Sequence, residues 1–362
     1  MSGVWGKNIK LSIFGESHGR AIGITIDGLE PGILLDIDAI KAEMDRRAPG
    51  RSPLASARKE SDTFEILSGY FNDRTTGTPL CAMIRNTDEH SKDYSNLKTL
   101  MRPGHADYTG NIRYNGFNDY RGGGSFSGRI TAPLVFAGAI AKQILASKGI
   151  VIGSHIISIE KIHESSFEDI HLTNEVLKKL SKDAFPVLKK EIGDKMQELI
   201  LQVKKDLDSV GGIVETAILN LPAGIGSPFF DSVESHLSQL IFSIPATKGI
   251  EFGKGFDITE LKGSQANDEF YIENDIIKTS SNNNGGILGG ITSGMPLVFR
   301  TAIKPTASIS RSQHTIDIKN RENSELIIKG RHDPCIVPRA IPVIEACAAI
   351  AILDLFLDIK TS

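Results

Sequence analysis

Two stretches constrain this chain more than any other feature: APLVFAGAIAKQILASKG (132–149) and IPVIEACAAIAILDLFLDIK (341–360). Each is apolar and alanine-rich around most of its circumference, so each predicts a helix buried on several sides. Glu345 and Asp354 inside the second stretch argue for a core helix and against a membrane span. Each stretch also has an arginine just before it and a proline near its start, Arg129 with Pro133 and Arg339 with Pro342, a hint of a duplicated core.

The rest of the chain supplies what such helices pack against. NIKLSIF and AIGITIDG are short β-branched runs bounded by glycine, the pattern of two strands, with GESHG as the turn between them. DIDAIKAEMDRRAPG spaces Ile37, Ile40 and Met44 by three and four and stops at Pro49-Gly50, a helix that delivers Arg46 and Arg47 at its C-terminal end. MQELILQVKKDLDSV places Met196, Leu199, Ile200, Val203 and Leu207 on one helical face; GGIVETAILNLP reads as a strand and SHLSQLIFSIPATKG as a helix with its exit. Strands and helices are interspersed with no low-complexity linker and no regular βα alternation. That predicts one large α+β unit over residues 1–362.

The 41 basic and 44 acidic side chains give a net charge of −3, so bulk charge draws this chain to neither nucleic acid nor membrane. Any anion site has to be a local concentration of arginine. Three scattered cysteines, Cys81, Cys335 and Cys347, form no disulfide framework and fit a reducing cytosol. The first residues lack the charged and apolar regions of a signal peptide.

Four stretches look like chemistry. GESHG (15–19) fits the G-x-S-x-G pattern of a nucleophile elbow, but only sixteen residues precede Ser17 and the following RAIGITIDG alternates like a strand; the elbow needs a helix there. A turn placing Glu16, Ser17 and His18 between glycines, where backbone approaches a ligand closely, is the better reading. RPGHADYTGNIRYNGFNDYRGGGSFSGRIT (102–131) holds Arg102, Arg113, Arg121, Arg129 and His105 in glycine-rich backbone ahead of a helix, which points to an anion site. NNNGGILGGITSG with AIKPTASIS (282–310) meets neither P-loop nor dinucleotide-fold spacing; it is either a structural glycine loop or a nest of amides that, with Lys304, holds a cofactor phosphate. In KGRHDPC (329–335), Asp333 is either an acid/base or half of an ion pair, and the His332-x-x-Cys335 spacing falls short of a four-ligand zinc set.

FGESHG, DRRAPGRS, RPGHADYT, DYRGGG, GGILGGITSG, KPTASI and GRHDPC occur in this order, and in that arrangement the sequence closely resembles the chorismate synthase family over essentially its whole length. The resemblance implies a β-α-β sandwich with central helices packed between antiparallel sheets, a homotetramer, and a lyase that forms chorismate by anti-1,4 elimination of phosphate and a ring proton from 5-enolpyruvylshikimate 3-phosphate. It implies reduced FMN as cofactor without net oxidation. Carried over position by position, it makes His18 the acid for the departing phosphate, His105 the partner of the flavin's pyrimidine ring, and Asp333, with Ser17 as relay, the base at flavin N5. Arg47, Arg129 and Arg331 match substrate or cofactor anion positions; Ser125, Phe126, Ser127, Gly289 and Lys304-Pro305-Thr306-Ala307-Ser308 match flavin contacts. Arg47 is also the position tied to NADPH, although no nicotinamide fingerprint is present, so reduction by NADPH and by a separate flavin reductase both stay open.

The chain departs from the family's pattern in places. Ser125-Phe126-Ser127-Gly128 stands where many members have Arg-Ser-Ser-Ala, which removes one flavin-side arginine and leaves Phe126 to stack or pack. Pro53 and Ala48 stand where basic residues are expected, with Arg51 or Arg58 as the candidate to replace the lost charge. A non-catalytic binder of flavin or anionic metabolites is the alternative that uses the same arginines and glycines without the proton chemistry.

Overall fold

The computed structural model describes residues 3–50, 62–86, 97–328 and 332–358. The expected hairpin forms at its start: β2 (Lys10–Gly15) and β3 (Ala21–Asp27) pair antiparallel with Gly15 opposite Ile22, and GESHG makes the turn. With β1 (Val4–Trp5), β4 (Phe64–Ser68) and β7 (Leu80–Arg85) they build a five-stranded antiparallel sheet ordered β1-β2-β3-β7-β4. A small ribbon, β5 (Tyr70–Phe71) with β6 (Arg74–Thr75), lies between its last two strands in the chain.

A second five-stranded antiparallel sheet is ordered β11-β16-β10-β8-β9, from β8 (Val151–Ile159), β9 (Ile162–His163), β10 (Gly212–Leu219), β11 (Thr247–Phe252) and β16 (Leu297–Ile303). Three two-stranded ribbons complete the strands: β12 (Phe270–Glu273) with β13 (Ile276–Thr279), β14 (Ile287–Leu288) with β15 (Ile291–Thr292), and β17 (Gln313–Asp317) with β18 (Glu322–Leu326). The helices are α1 (Ile37–Arg47), α2 (Asp107–Arg113), α3 (Thr131–Ala146), α4 (Asn174–Leu180), α5 (Lys190–Lys205), α6 (Val233–Ser243), α7 (Gly263–Ala266) and α8 (Val337–Phe356).

The two apolar stretches are α3 and α8, and they pack on each other between the sheets. α3 touches β3 and β7 of the first sheet and β8 of the second, while α8 touches β8 and β10. Their closest approach is Gly138 against Ala346: a Cβ on Gly138 would sit 2.2 Å from the Ala346 methyl, so only glycine permits this spacing. One apolar cluster runs through this layer from Ile9 to Leu355. β8 is buried on both faces, with Ile152 and Ile156 in that cluster and Gly153 against Leu177 of α4. This is the α+β sandwich that the pattern of elements and the resemblance implied.

The two acids inside α8 fasten other elements to it. Glu345, with a fully buried side chain, takes Arg46 of α1 (2.7 Å) and Lys142 of α3 (2.7 Å). Asp354 accepts the backbone N–H groups of Asn8 and Ile9, both at 2.7 Å, and so anchors the chain just before β2. A third buried polar group is His155 on β8, 2.9 Å from Glu215 and 3.4 Å from Glu164. Burial opposes its charge, but the two carboxylates outweigh burial and raise its pKa.

One expected face is corrected. Leu207 does not continue the apolar stripe of α5: the helix ends at Lys205, and Leu207 is exposed with φ +60°, where the chain reverses toward β10.

Burial alone would raise the Glu345 carboxyl, yet Arg46 and Lys142 hold it down at about 2. An unfolded glutamate titrates near 4.3, so unfolding takes up a proton between about pH 4.5 and 2. The stabilisation is present above that window and is lost as the pH falls through it. Glu345→Gln should cost about 1.5–3 kcal/mol in urea unfolding at neutral pH, because the charged hydrogen bonds from Arg46 and Lys142 are lost while Glu43 still pairs with each. It should also flatten the acid limb of the stability profile; unchanged stability would show that the network contributes nothing.

Candidate active site

A cleft of about 580 Å³ opens where several segments meet at one end of α3 and α8. Its wall takes in the C-terminal end of α1, residues 102–106 ahead of α2, the glycine segment leading into α3, the exit of α6, the loop after β16, and residues 332–343 entering α8. Both central helices therefore begin at the cleft, with their positive ends toward it.

Its floor is a cluster of buried charges. Arg47 places Nε 2.6 Å and Nη2 2.9 Å from the two oxygens of Asp62, and Arg129 donates to the same carboxylate through Nη1. Arg47 reaches that position because α1 starts at Asp36, whose side chain accepts from Ala39 N, and ends one turn past Met44. Asp62 is buried, which would raise its pKa, but the two guanidiniums hold it below the usual carboxylate range. Nearby, Arg339 in the first turn of α8 donates from Nη1 to Asp333 at 2.5 Å and from Nε to Arg47 O at 3.1 Å. Burial, assisted by Arg47, pulls Arg339 below the ordinary arginine range, with Asp333 opposing. Among the described residues, Arg47 and Arg129 share Asp62 while Arg339 pairs with Asp333, which concentrates three guanidiniums in a confined site.

His105 is held by a third carboxylate, Asp107. Arg102 grips Asp107 with Nε (2.6 Å) and Nη2 (2.7 Å), and His105 Nδ1 lies 2.7 Å from Asp107 Oδ1. The carboxylate accepts from both, so Nδ1 carries the proton and Nε2 is the imidazole's other working nitrogen. The 3.0 Å contact between Arg102 Nη2 and His105 Nδ1 follows from both converging on one oxygen. Burial works against ionisation of Asp107, but the Arg102 and His105 hydrogen bonds depress its pKa well below normal. Arg102 thus fixes His105, and through Nη1 (3.2 Å) also Ser308.

Ser17 and His18 are buried and do not themselves line the cleft; they lie directly against Gly122, which does. A Cβ on Gly122 would fall 2.4 Å from His18 Cδ2 and 2.9 Å from Ser17 Oγ. Gly122, Gly123 and Gly124 have φ of +59°, +87° and +54°, and a Cβ on Gly123 would meet His105 Nε2 at 3.3 Å. The glycine triplet is therefore the element on which both histidines converge. Ser17 N donates to Gly124 O at 3.1 Å, which ties the turn to the triplet.

The opposite rim is cationic. Lys304 and Lys248 both line the cleft; Lys304 donates to Gly104 O, and burial together with Lys248 lowers its pKa. Lys248 sits at a bulge where β11 slips against β16 between Thr247 and Gly249. Two lining hydroxyls, Thr247 Oγ1 and Thr306 Oγ1, are buried with no hydrogen-bond partner among the described residues, as groups awaiting a polar ligand would be. Ser209 Oγ donates to Thr306 O (2.7 Å) and Val210 N to Pro334 O (2.8 Å), so one strap behind the cleft holds the 304–308 and 333–334 loops together.

Of the residues expected from sequence, His105, Arg47, Arg129, Asp333, Ser125, Phe126, Ser127 and Lys304 through Ser308 share this cleft. Phe126 lines it while packing on Gly110 and Tyr114 of the α2 region. Gly289 does not: it lies at the exposed turn between β14 and β15. Asn282–Asn284 beside it are organised by Asp268, whose carboxylate accepts from Asn283 N and Asn284 N, so that half of the glycine-rich stretch is structural. Arg121 pairs with Asp119 away from the lining. Arg331, Arg51 and Arg58 lie outside the described residues. Asp62, Lys248, Arg339 and the exit of α6 were not foreseen; only Arg339 carried a signal, the repeated Arg and Pro ahead of each apolar helix.

Comparison with known proteins identifies the family and the fold. The chorismate synthase family model matches residues 9–357. A chorismate synthase of Dehalococcoides mccartyi is 45% identical over 99% of this chain and 97% of its own length. One of Thermococcus kodakarensis is 44% identical over 96% of each. A crystal structure of chorismate synthase superposes with a TM-score of 0.77 at 29% identity, covering 98% of this chain and 93% of that one.

Gly122→Ala tests the convergence on the triplet. The added methyl must displace His18 or the turn, and left-handed backbone costs alanine about 1–2 kcal/mol. Turnover should fall at least about tenfold, read against a melting curve showing that the protein remains folded; wild-type turnover would place His18 away from the reaction.

Proposed function

The chain belongs to the chorismate synthase family and has that family's lyase function, and we propose that it binds reduced FMN and 5-enolpyruvylshikimate 3-phosphate together in this cleft. The observation that carries the reading is the cluster of three guanidiniums sharing two carboxylates, beside two histidines gathered at one glycine triplet. The substrate bears a carboxylate on each of its two parts and a phosphate, and guanidiniums gathered in one cleft offer the bidentate donors that suit such a ligand.

Arg47, Arg129 and Arg339 supply the charge for the substrate's anionic groups; Arg331 is assigned with them from the family pattern. His18, at the Gly122 edge, is the acid that protonates the departing phosphate. An imidazole can give a proton from its imidazolium form and take one back in its neutral form at working pH. Asp333 is the proton acceptor, with Ser17 as relay and Arg339 fixing the carboxylate's orientation.

The cleft fits a flavin phosphate on the evidence of its cationic rim, the two unsatisfied threonine hydroxyls, and a volume within the range of about 300–1,000 Å³ usual for cofactor sites. Lys304 to Ser308 and Ser125 to Ser127 would hold it, with His105 Nε2 at its pyrimidine edge. When bound, reduced FMN contributes electron density that is lent and returned, so the anti-1,4 elimination proceeds without net oxidation. Gly289 would contribute only from outside this cleft.

We assign the protein to the cytosol as a homotetramer. Phe229, Phe230, Phe256 and the β12–β13 ribbon, with Ile272 and Ile277, expose apolar area suited to contacts between copies. Light scattering should return about four times the 39.3 kDa chain mass; a monomer would remove this part of the reading.

Anaerobic incubation with dithionite-reduced FMN and the enolpyruvyl substrate should release phosphate and chorismate in equal amounts. His18→Ala and His105→Ala should each lose about 10²- to 10⁴-fold in turnover while FMN affinity changes little. A variant with wild-type turnover removes that histidine from the mechanism, and flavin binding without turnover leaves a mere binder. NADPH alone bleaching bound FMN would show self-reduction; no bleaching would require a separate flavin reductase.

A further inference from the structure

We propose that Asn86 is a positioning residue of this reaction: a single side-chain amide that locks the anion-binding Arg129 and the turn carrying Ser17 and His18 into one frame. The inference rests on the reading of His18 as the acid. Asn86 is the residue immediately after β7. Its Nδ2 donates to Glu16 O at 3.0 Å and to Gly19 O at 2.8 Å, and its Oδ1 accepts from Arg129 Nε at 3.2 Å. Its backbone N–H adds a bond to Arg20 O at 3.2 Å. Both amide hydrogens and the amide oxygen are used, and two carbonyls on one side with a guanidinium on the other fix the amide's orientation.

The two carbonyls are the ends of the turn that presents Ser17 and His18, already closed by Gly19 N donating to Glu16 O at 3.0 Å. On the other side, Arg129 is bound through Nη1 to Asp62 and hence to Arg47. The distance between an anchored substrate anion and the proton donor is thus set through Asn86. No other residue supplies two donors and one acceptor at this length: aspartate lacks the donors, serine lacks reach, and glutamine is one methylene too long. A proton transfer tolerates little misplacement, and about 1 Å can cost 100-fold.

Asn86→Asp keeps the shape and the oxygen facing Arg129 but turns an oxygen toward two carbonyl oxygens. We expect kcat to fall about 10- to 100-fold with KM within about threefold of wild type. The deciding measurement is a double-mutant cycle by single-turnover kinetics. In the His18→Ala background, Asn86→Asp should cost less than about threefold, because the residue it positions is gone. Asn86→Ala introduces no repulsion and should show the same non-additivity with a smaller loss. Equal fold-losses in both backgrounds, or wild-type kcat in a folded Asn86→Asp protein, overturn the proposal. Absence of turnover by the wild-type protein would instead overturn the functional reading itself, so the two failures are separable.

Discussion

A single buried carboxylate, Asp62, receiving two buried guanidiniums is the interaction on which the site depends. Removing an arginine from water is costly unless a counter-charge accompanies it. Asp62 offsets that cost for Arg47 and Arg129 together. It also holds both guanidiniums in fixed geometry, where the surrounding protein screens their charge less than water would. A protein that is slightly acidic overall thus concentrates guanidinium groups locally at the cleft.

The central helices explain why that charge sits where it does. α3 and α8 approach closely at Gly138 and Ala346, start at the same end of the sandwich, and carry Arg129 and Arg339 at their entrances. Their positive ends add to the same field. The acids in α8 then brace the frame from behind: Glu345 ties α1 and α3 to α8, and Asp354 ties the chain ahead of β2. Adjacent arginines at the end of α1 consequently take different roles. Arg46 turns to Glu345 in the core and Arg47 to Asp62 in the cleft.

Much of this was legible in the sequence because it is written in local pattern. Alternation marked the first hairpin, alanine-rich periodicity marked the buried helices, and glycines interleaved with arginines ahead of α3 marked the stretch that lines the cleft. Partners distant in the chain left no such mark. Asp62 carries no local sign that it will meet Arg129, and a basic residue such as Arg102 looks the same whether it binds a ligand or orients His105. His155 is as buried as any histidine here, and it is paired with Glu164 and Glu215 away from the cleft. Leu207 fitted a helical stripe but fell two residues past the helix end, where boundaries depend on capping more than on periodicity.

The most direct measurement is a crystal structure with oxidised FMN and the enolpyruvyl substrate bound. The account predicts both ligands in this cleft, a substrate anion within about 3 Å of an arginine among Arg47, Arg129 and Arg339, and His18 and His105 on opposite partners of the pair. Ligands bound elsewhere, or a substrate whose phosphate lies far from His18 with the Gly122 turn intervening, would contradict it.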